Sequence, residues 1–269
     1  MEELKVMGVV NVTPDSFSDG GRYLDAGRAV GHGRELVAEG ADLLDVGGES
    51  TRPGSEGVSA EEEVARVGPV LEGLSSAGVP ISIDTSKRAV AAAALDAGAE
   101  IVNDVTALRA DPELGDLCAE RDCGLVLMHM LGTPRTMQES PTYDDVVEDV
   151  KAFLAERIEF AIGRGIGEER IWLDPGIGFG KTLEHNLALL DRLGELRSLG
   201  RPICIGASRK SFIGKITGRE VGERLGGTVA SNVLALANGA DIFRVHDVRA
   251  VREALVVAEA ILGRGRARA

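Results

Sequence analysis

Eight short apolar runs, separated by longer segments with helical periodicity, constrain the fold of this 269-residue chain more than any other feature. The runs are continuously apolar rather than alternating, which is typical of parallel strands covered on both faces. They occupy residues 6–10, 43–46, 81–84, 101–103, 125–129, 171–174, 203–206 and 242–245. Helices are predicted between and after them, at residues 61–74, 87–97, 143–162, 183–196, 224–237 and 248–262.

Three repeated phrases support this regular alternation of strand and helix. Gly40, Gly98 and Gly239 each follow a helical pattern shortly before a predicted strand, as glycines that cap helix C-termini do. Eight uninterrupted units of strand and helix predict an α/β fold. The specific prediction is a single (β/α)₈ TIM barrel with long loops after strands 1 and 2. An open, doubly wound sheet is the alternative. Residues 1–269 are interpreted as one domain because no linker is visible, with residues 263–269 as a frayed tail.

Charge and composition exclude several classes of partner. The formal net charge of −13 argues against nucleic acid or an anionic membrane surface. No uncharged apolar stretch of about 18 residues and no targeting segment is visible. Cys118, Cys123 and Cys204 have no metal-ligand spacing, and the simplest interpretation is a reduced, cytoplasmic compartment.

Polar side chains follow nearly every predicted strand. In a barrel of this type the active site lies at the C-terminal ends of the strands, so these residues are expected to converge. A loop cap is the alternative for any one of them, but it does not explain the whole set. The residues in question are Asn11, Asp84, Asn103, Asp104, His129, Asp174, Lys210, Arg244 and His246.

Two loops and one cationic group extend this prediction. The loops at residues 13–21 and 47–55 are rich in Gly and Pro and are suited to closing over a substrate, although surface Ω-loops are the alternative. Lys210, Arg244 and His246 follow neighbouring strands and indicate a phosphate or carboxylate ligand. For Arg209 a surface salt bridge is predicted. Structural or solvent-facing roles are predicted for three other residues, His32, His129 and His185.

One segment is similar to a P-loop, residues 175–182 with the sequence Pro-Gly-Ile-Gly-Phe-Gly-Lys-Thr. It does not match the P-loop pattern, because Pro175 stands where the first glycine is required. The glycine spacing also fails that of dinucleotide-binding loops, so neither an ATPase nor an NAD enzyme is predicted. Backbone rich in glycine more simply allows a flat ligand to lie close to the chain.

The order of these motifs resembles the dihydropteroate synthases, a family of pterin-binding TIM-barrel enzymes of the folate pathway. The resemblance covers residues 4–262 and is carried by seven stretches in sequence order. These are residues 7–21, 45–54, 83–85, 103–105, 173–181, 208–214 and 244–247.

The resemblance implies a transferase that condenses 6-hydroxymethyl-7,8-dihydropterin pyrophosphate with p-aminobenzoate, giving 7,8-dihydropteroate and pyrophosphate. It implies a pterin pocket of Asp84, Asn103, Asp174 and Lys210, walled by Met128, Phe179 and Gly206. It implies a pyrophosphate-binding site formed by Asn11 with Mg²⁺ and by Arg52, Arg244 and His246. It implies a p-aminobenzoate site of Phe17, Thr51, Pro53 and Ser211. Asp84, Lys210, Arg244 and Asn11 are the catalytic candidates, and the family also suggests a homodimer.

Residue chemistry is consistent with these implied roles. A carboxylate such as Asp174 can accept both hydrogen bonds from the amidine-like edge of a pterin. Mg²⁺, Arg and a cationic His would stabilise the departing pyrophosphate, and a neutral aniline nitrogen needs no strong general base. We therefore expect dissociative loss of pyrophosphate followed by amine attack, with inhibition by sulfonamides that mimic p-aminobenzoate.

Two alternatives remain open at this stage. A pterin-binding methyltransferase of the corrinoid type would share the barrel and pocket, but it would have no use for the loop at residues 50–54, Ser211, or the Arg244 and His246 pair. A catalytically silent paralogue that binds pterin should have lost a loop or pyrophosphate residue, and none is missing from this sequence.

Overall fold

The computed structural model describes residues 4–13, 22–51, 54–55 and 57–263, and it contains the eight predicted strands in a barrel. All the strand pairs are parallel, in the order β6-β5-β4-β3-β2-β1-β8-β7. A bridge between Leu173 and Ile203 brings β6 beside β7 and so nearly closes the barrel, in place of the open sheet. The strands are β1 (Lys5–Asn11), β2 (Leu43–Gly47), β3 (Ile81–Asp84), β4 (Ile101–Asp104), β5 (Gly124–Met128), β6 (Ile171–Asp174), β7 (Cys204–Ile205) and β8 (Ile242–Val245).

Nine α-helices alternate with the strands in the described part of the chain. They are α1 (Arg22–Ala38), α2 (Ala60–Leu74), α3 (Arg88–Asp96), α4 (Glu113–Arg121), α5 (Val146–Gly163), α6 (Leu183–Asp191), α7 (Ser211–Thr217), α8 (Leu225–Ala237) and α9 (Val248–Ile261). The helix predicted at residues 183–196 is shorter than expected, because α6 ends at Asp191 and a 3₁₀ segment, Leu193–Leu199, follows. The helix predicted from residue 143 begins at Val146, where the Asp145 side chain accepts hydrogen bonds from two backbone N–H groups.

The three predicted C-cap glycines are confirmed. Gly40, Gly98 and Gly239 have φ values of +103°, +99° and +105°, a region that L side chains rarely adopt. After each of them the chain turns directly into the next strand. The C-terminal ends of the strands therefore remain free for the longer loops on the opposite face of the barrel.

Alternation along the strands divides the core into two parts. Outward side chains such as Val6, Val10 and Ile83 pack in the large apolar layer between barrel and helices. Inward side chains such as Met7, Ile101 and Ile242 form a smaller cluster inside the barrel. Within the described residues, no helix has the length and apolar composition needed to cross a bilayer.

Candidate active site

The inward positions change from apolar to polar towards the C-terminal ends of the strands. On β4, for example, Ile101 belongs to the interior cluster and Asn103 follows two residues later on the same face. Strand register aligns Asn11 with Gly47, Gly47 with Asp84, and Asp84 with Asn103. The barrel therefore carries a row of polar groups above its apolar interior.

A pocket opens above this row, and nine of the predicted site residues line it. Two further lining residues, Val105 and Ile177, were not predicted. Val105 belongs to an apolar cluster with Met128, Met130 and Met137, against which Phe179 packs. Its position two residues after Asn103 is the sequence signal that could have identified it. The predicted residues in the lining are Thr51, Asp84, Asn103, Met128, Asp174, Phe179, Gly206, Lys210 and Arg244.

Arg244 crosses the barrel to two carboxylates. Its Nε donates to Asp45 Oδ2 at 2.6 Å and its Nη2 donates to Asp84 Oδ2 at 2.8 Å. Asp45 Oδ2 also accepts a hydrogen bond of 3.1 Å from Asn103 Nδ2. Sequence analysis did not identify Asp45 as a site residue, because it lies inside β2 rather than at the strand end. Its position two residues before Gly47, on the inward face, was the available signal.

Burial and mutual charge shift the pKa values of this group. Burial raises the pKa of Asp84 to about 7, with Arg244 opposing the rise and Asp45 adding to it. Burial alone would lower the pKa of Arg244, but the carboxylates of Asp45 and Asp84 together raise it. Burial, together with the nearby Arg244 guanidinium, lowers the pKa of Lys210 to about 8. The pocket therefore holds a permanent cation beside one carboxyl group and one amine that both titrate near neutral pH.

Asp174 and Phe179 line the pocket beside Lys210. Asp174 Oδ1 accepts a hydrogen bond of 2.7 Å from the Gly176 N–H. Burial raises the pKa of Asp174, while the Gly176 N–H and Lys210 counteract part of that rise. The Lys210 ammonium lies 4.1 Å from the centre of the Phe179 ring, so an aromatic face and a cation stand next to the carboxylate.

The loop after β6 is fixed by three side chains from two other segments, α6 and the connection between β5 and α5. Asn186 Oδ1 accepts from the Gly178 N–H at 2.6 Å, and Gln138 Nε2 donates to the Gly178 carbonyl at 2.9 Å. The Tyr143 hydroxyl donates to the Gly180 carbonyl at 2.7 Å. This wall of the pocket is consequently preorganised in the protein itself.

Six predicted site residues are not in the pocket lining. Asn11 is half-buried at the end of β1, and Ser211 is exposed as the first residue of α7. His246 lines a neighbouring cavity together with His32 and Asp247. Burial lowers the pKa of His246 to about 4, with Arg244 and Arg209 adding to the effect, so the expected cationic imidazole is neutral at pH 7 in this structure. Phe17, Arg52 and Pro53 lie outside the described residues, as do residues 264–269 of the predicted tail.

The structural roles predicted for Arg209, His185 and His129 are confirmed, while the role of His32, which lines the same cavity as His246, stays a prediction. Arg209 forms an ion pair with Asp247. His185 completes a capping box with Thr182 at the start of α6. His129 is buried and contacts Lys181 rather than the pocket, and His32 is half-buried on α1.

Comparison with known proteins places these features in a family. A sequence model of pterin-binding enzymes matches residues 7–246. The chain is 49% identical to the dihydropteroate synthase of Neisseria meningitidis serogroup B, over 97% of this chain and 94% of that protein. A Xanthomonas albilineans dihydropteroate synthase structure with 4-aminobenzoic acid is 49% identical, has a TM-score of 0.91, and is matched over 97% of this chain and 94% of that one. A Yersinia pestis dihydropteroate synthase structure with a sulfonamide drug is 44% identical, with a TM-score of 0.92 and coverage of 97% and 95%.

Proposed function

Because the chain belongs to the dihydropteroate synthase family of pterin-binding enzymes, we propose that it condenses 6-hydroxymethyl-7,8-dihydropterin pyrophosphate with p-aminobenzoate, releasing 7,8-dihydropteroate and pyrophosphate. The observation that carries this proposal is the pocket itself. It brings together buried carboxylates, a buried amide, an aromatic ring and two cations, one of which lies against that ring. Such a site fits a flat, polar heterocycle attached to an anionic leaving group.

Asp174 and Asn103 recognise the pterin. The second oxygen of Asp174, which faces Gly206, accepts from the amidine-like edge of the ring, while the Asn103 amide both donates and accepts. Phe179, Met128 and Gly206 leave a flat space for the ring. Asp84 and Lys210 complete the pterin contacts, and Lys210 also carries positive charge towards the leaving group.

Arg244 and His246 bind the departing pyrophosphate, with Arg52 as a further ligand from the second loop. The geometry that supports this role is the anchoring of Arg244 by Asp45 and Asp84, which holds its guanidinium in one place. A fixed cation stabilises charge as it develops on the leaving oxygen at little reorganisation cost. His246 is neutral in this structure, so it contributes a hydrogen bond rather than a charge unless the substrate raises its pKa.

A magnesium ion fits the residues at this end of the pocket. Asn11 offers one amide oxygen at the rim, in register with Gly47 and so two strands from Asp84. Mg²⁺ characteristically takes few protein oxygens and completes its shell with phosphates and waters. Asn11 would hold the ion, and the bound ion would supply Lewis-acid stabilisation of the pyrophosphate charge.

The second substrate, p-aminobenzoate, binds where the first two loops approach the pocket. Thr51 lines the pocket from the second loop, and Ser211 begins α7 close after Lys210. Phe17 and Pro53 are proposed to complete this subsite. Closure of the loops would exclude water while the pterin methylene carbon carries positive charge.

The reaction proposed for this site proceeds by loss of pyrophosphate followed by attack of the amine. The C–O bond to pyrophosphate breaks while the electron-rich pterin ring stabilises the methylene cation. The neutral aniline nitrogen then forms the new C–N bond and loses one proton to solvent or to the departing pyrophosphate. Arg244 and Lys210 stabilise the leaving group, and no covalent enzyme intermediate is needed.

A homodimer in the cytoplasm completes the proposal. Leu234 on α8 and Val256, Val257 and Ile261 on α9 are all more than half exposed on neighbouring outer helices, a pattern that fits an interface between two copies. The buried free thiols of Cys118, Cys123 and Cys204 are consistent with a reducing compartment.

Direct turnover tests the proposed reaction. Purified protein with Mg²⁺, the pterin pyrophosphate and p-aminobenzoate should yield dihydropteroate and pyrophosphate in equal amounts. Lys210→Ala and Arg244→Ala should each abolish most of this activity, while the exposed Lys215→Ala serves as control. Tight pterin binding with neither product would indicate a silent paralogue.

Sulfonamides test the p-aminobenzoate subsite separately. Because they mimic p-aminobenzoate, inhibition is expected to be competitive with that substrate and not with the pterin. Turnover that is unchanged at a large excess of sulfonamide would contradict the proposed subsite.

A further inference from the structure

Lys181 is a buried lysine that the proposed reaction does not use, and burial lowers the pKa of its amine to about 7. It is the second-last residue of the P-loop-like segment, and only 2% of its surface is exposed. Its ammonium lies 2.9 Å from His129 Nδ1, 2.9 Å from the Phe179 carbonyl and 3.4 Å from the His129 carbonyl. The side chain therefore connects the loop after β6 to the end of β5.

The ammonium of Lys181 has no donor left for a substrate. A protonated lysine has three N–H bonds, and the three acceptors named above match that number. His129 can serve as an acceptor only when its proton is on Nε2, and burial lowers the pKa of His129 to about 2, which keeps the ring neutral. Contact with a phosphate would require Lys181 to leave these partners and cross from the interior to the pocket.

The loop held by Lys181 lies against β5 with no spare room. A Cβ atom added to Gly176 would stand 1.9 Å from the His129 carbonyl oxygen, and Gly176 has a φ of +69°. The His129 N–H donates to the Asp174 carbonyl at 2.9 Å, and the Phe179 N–H donates to the Gly176 carbonyl at 3.0 Å. The Phe179 and His129 carbonyl oxygens, one from each segment, thus converge on the Lys181 amine and accept its hydrogen bonds.

We propose that Lys181 is a positioning residue for the pterin wall, a role that rests on the proposed function. Its ammonium fixes the Phe179 and His129 carbonyls, and through that loop it sets the place of the Phe179 ring and of the Asp174 carboxylate. Without the ammonium, two buried carbonyls and the His129 nitrogen lose their donor, and the loop moves to find water. The pterin site loosens, whereas Arg244 on β8, which is proposed to bind pyrophosphate, is anchored independently by Asp45 and Asp84.

Kinetics of Lys181→Met test this role against that of a phosphate ligand. We expect the KM for the pterin pyrophosphate to rise about tenfold or more, a loss of binding rather than of a chemical step. The inhibition constant of inorganic pyrophosphate and the KM for p-aminobenzoate should change less than about threefold. Lys181→Gln, which keeps two N–H donors, should recover part of the loss, and Lys215→Met should match the unaltered protein.

Two outcomes of this experiment overturn the proposal. A pyrophosphate inhibition constant that rises as much as the pterin KM would make Lys181 a phosphate ligand. Unchanged pterin KM in a folded Lys181→Met protein would remove any positioning role. If the unaltered protein forms neither product, the proposed function fails.

A measurement on the unaltered protein avoids the risk that the variants do not fold. Reductive methylation of native protein, followed by mass spectrometry, should leave Lys181 unmodified with or without pyrophosphate and label it only after denaturation in urea. Labelling of Lys181 in the native protein, with protection by pyrophosphate, would overturn the proposal. This result does not depend on turnover, so it separates failure of the positioning role from failure of the proposed function.

Discussion

Asp45 shows how one residue without access to solvent can control two that face the pocket. A single oxygen, Oδ2, accepts from both Arg244 and Asn103, while Oδ1 is buried without a hydrogen-bond partner among the described residues. The carboxylate thus aligns a residue proposed for pyrophosphate with one proposed for pterin. An amide at this position can keep its oxygen towards Arg244 and Asn103, but it leaves Arg244 with one carboxylate instead of two and buries an NH2 group in the place of Oδ1, where no partner is described.

Asp45→Asn is therefore expected to reduce kcat/KM for the pterin pyrophosphate by about 30-fold or more, equivalent to about 2 kcal/mol. Steady-state kinetics on both substrates measures this effect. Asp96→Asn, at an exposed position in a surface ion pair, is the matched control and should behave like the unaltered protein. Equal activity of the two variants would contradict the importance of Asp45.

Asp84 gives the protein a pH-dependent stability. Its pKa in the folded protein is about 7, above the ~3.9 of an unfolded chain. Between these values the folded state binds more protons than the unfolded state, so the contribution of Asp84 to stability is present at low pH and is lost as pH rises towards 7. In Asp84→Asn this loss disappears. Urea unfolding at pH 5 and pH 8 measures the free energy of unfolding of both proteins. Relative to the unaltered protein, Asp84→Asn should be more stable at pH 8 than at pH 5. The same difference in free energy at both pH values would contradict the raised pKa of Asp84.

Among whole elements, the strands were predictable from sequence and some helices were not. Each strand is a mostly apolar run, interrupted only at positions such as Asp45 and Ser82, and its prediction needs only local information. The glycine-rich α1 was not among the helices predicted by range, because tertiary packing overrides its poor propensity. A Cβ added to Gly33 would lie 2.9 Å from Leu74 Cδ2, and one added to Gly73 would lie 2.5 Å from Val30 Cγ2. The glycines therefore allow α1 and α2 to approach closely, which no local pattern reveals.

The same limit applies to the candidate site. Residues at strand ends, such as Asp84 and Asp174, could be identified because the barrel brings all strand ends to one face. Asp45 and Lys181 act through other residues from inside the structure. Their importance depends on partners distant in sequence, so only the three-dimensional arrangement identifies them.

The loop after β6 has the strictest steric requirement of any element at the site. Gly176→Ala would combine a left-handed φ with a contact of 1.9 Å to backbone, which the chain relieves only by moving the loop. We expect the free energy of unfolding to fall by roughly 3 kcal/mol, which corresponds to a decrease in Tm of about 6 °C or more. Pterin binding should weaken as well. Gly163→Ala at the end of α5, where an added Cβ meets nothing within 4 Å, should leave Tm and binding unchanged. Similar Tm values for both variants would contradict this account.

At the scale of the whole molecule, the exposed apolar face of α8 and α9 determines the expected assembly. Val257→Arg, at a position 59% exposed, places a charge in the proposed interface and should raise the dimer dissociation constant about 100-fold or more. Light scattering coupled to size-exclusion chromatography measures the mass. Leu187→Arg on α6, 42% exposed, is the control and should leave the mass unchanged. A monomeric unaltered protein would contradict the proposed dimer.

The ion pair between Arg244 and Asp45 spans 199 positions of sequence, and this separation has a consequence for synthesis on the ribosome. At a translation rate of about 5–20 residues per second, roughly 10–40 s pass between the emergence of the carboxylate and that of its cation. Burying Asp45 earlier would leave a charge without a counter-ion. We therefore expect the centre of the nascent barrel to stay hydrated until β8 inserts, which hydrogen exchange on ribosome-bound chains would measure. Ligand binding is consequently acquired last, and only by chains that have been translated through β8.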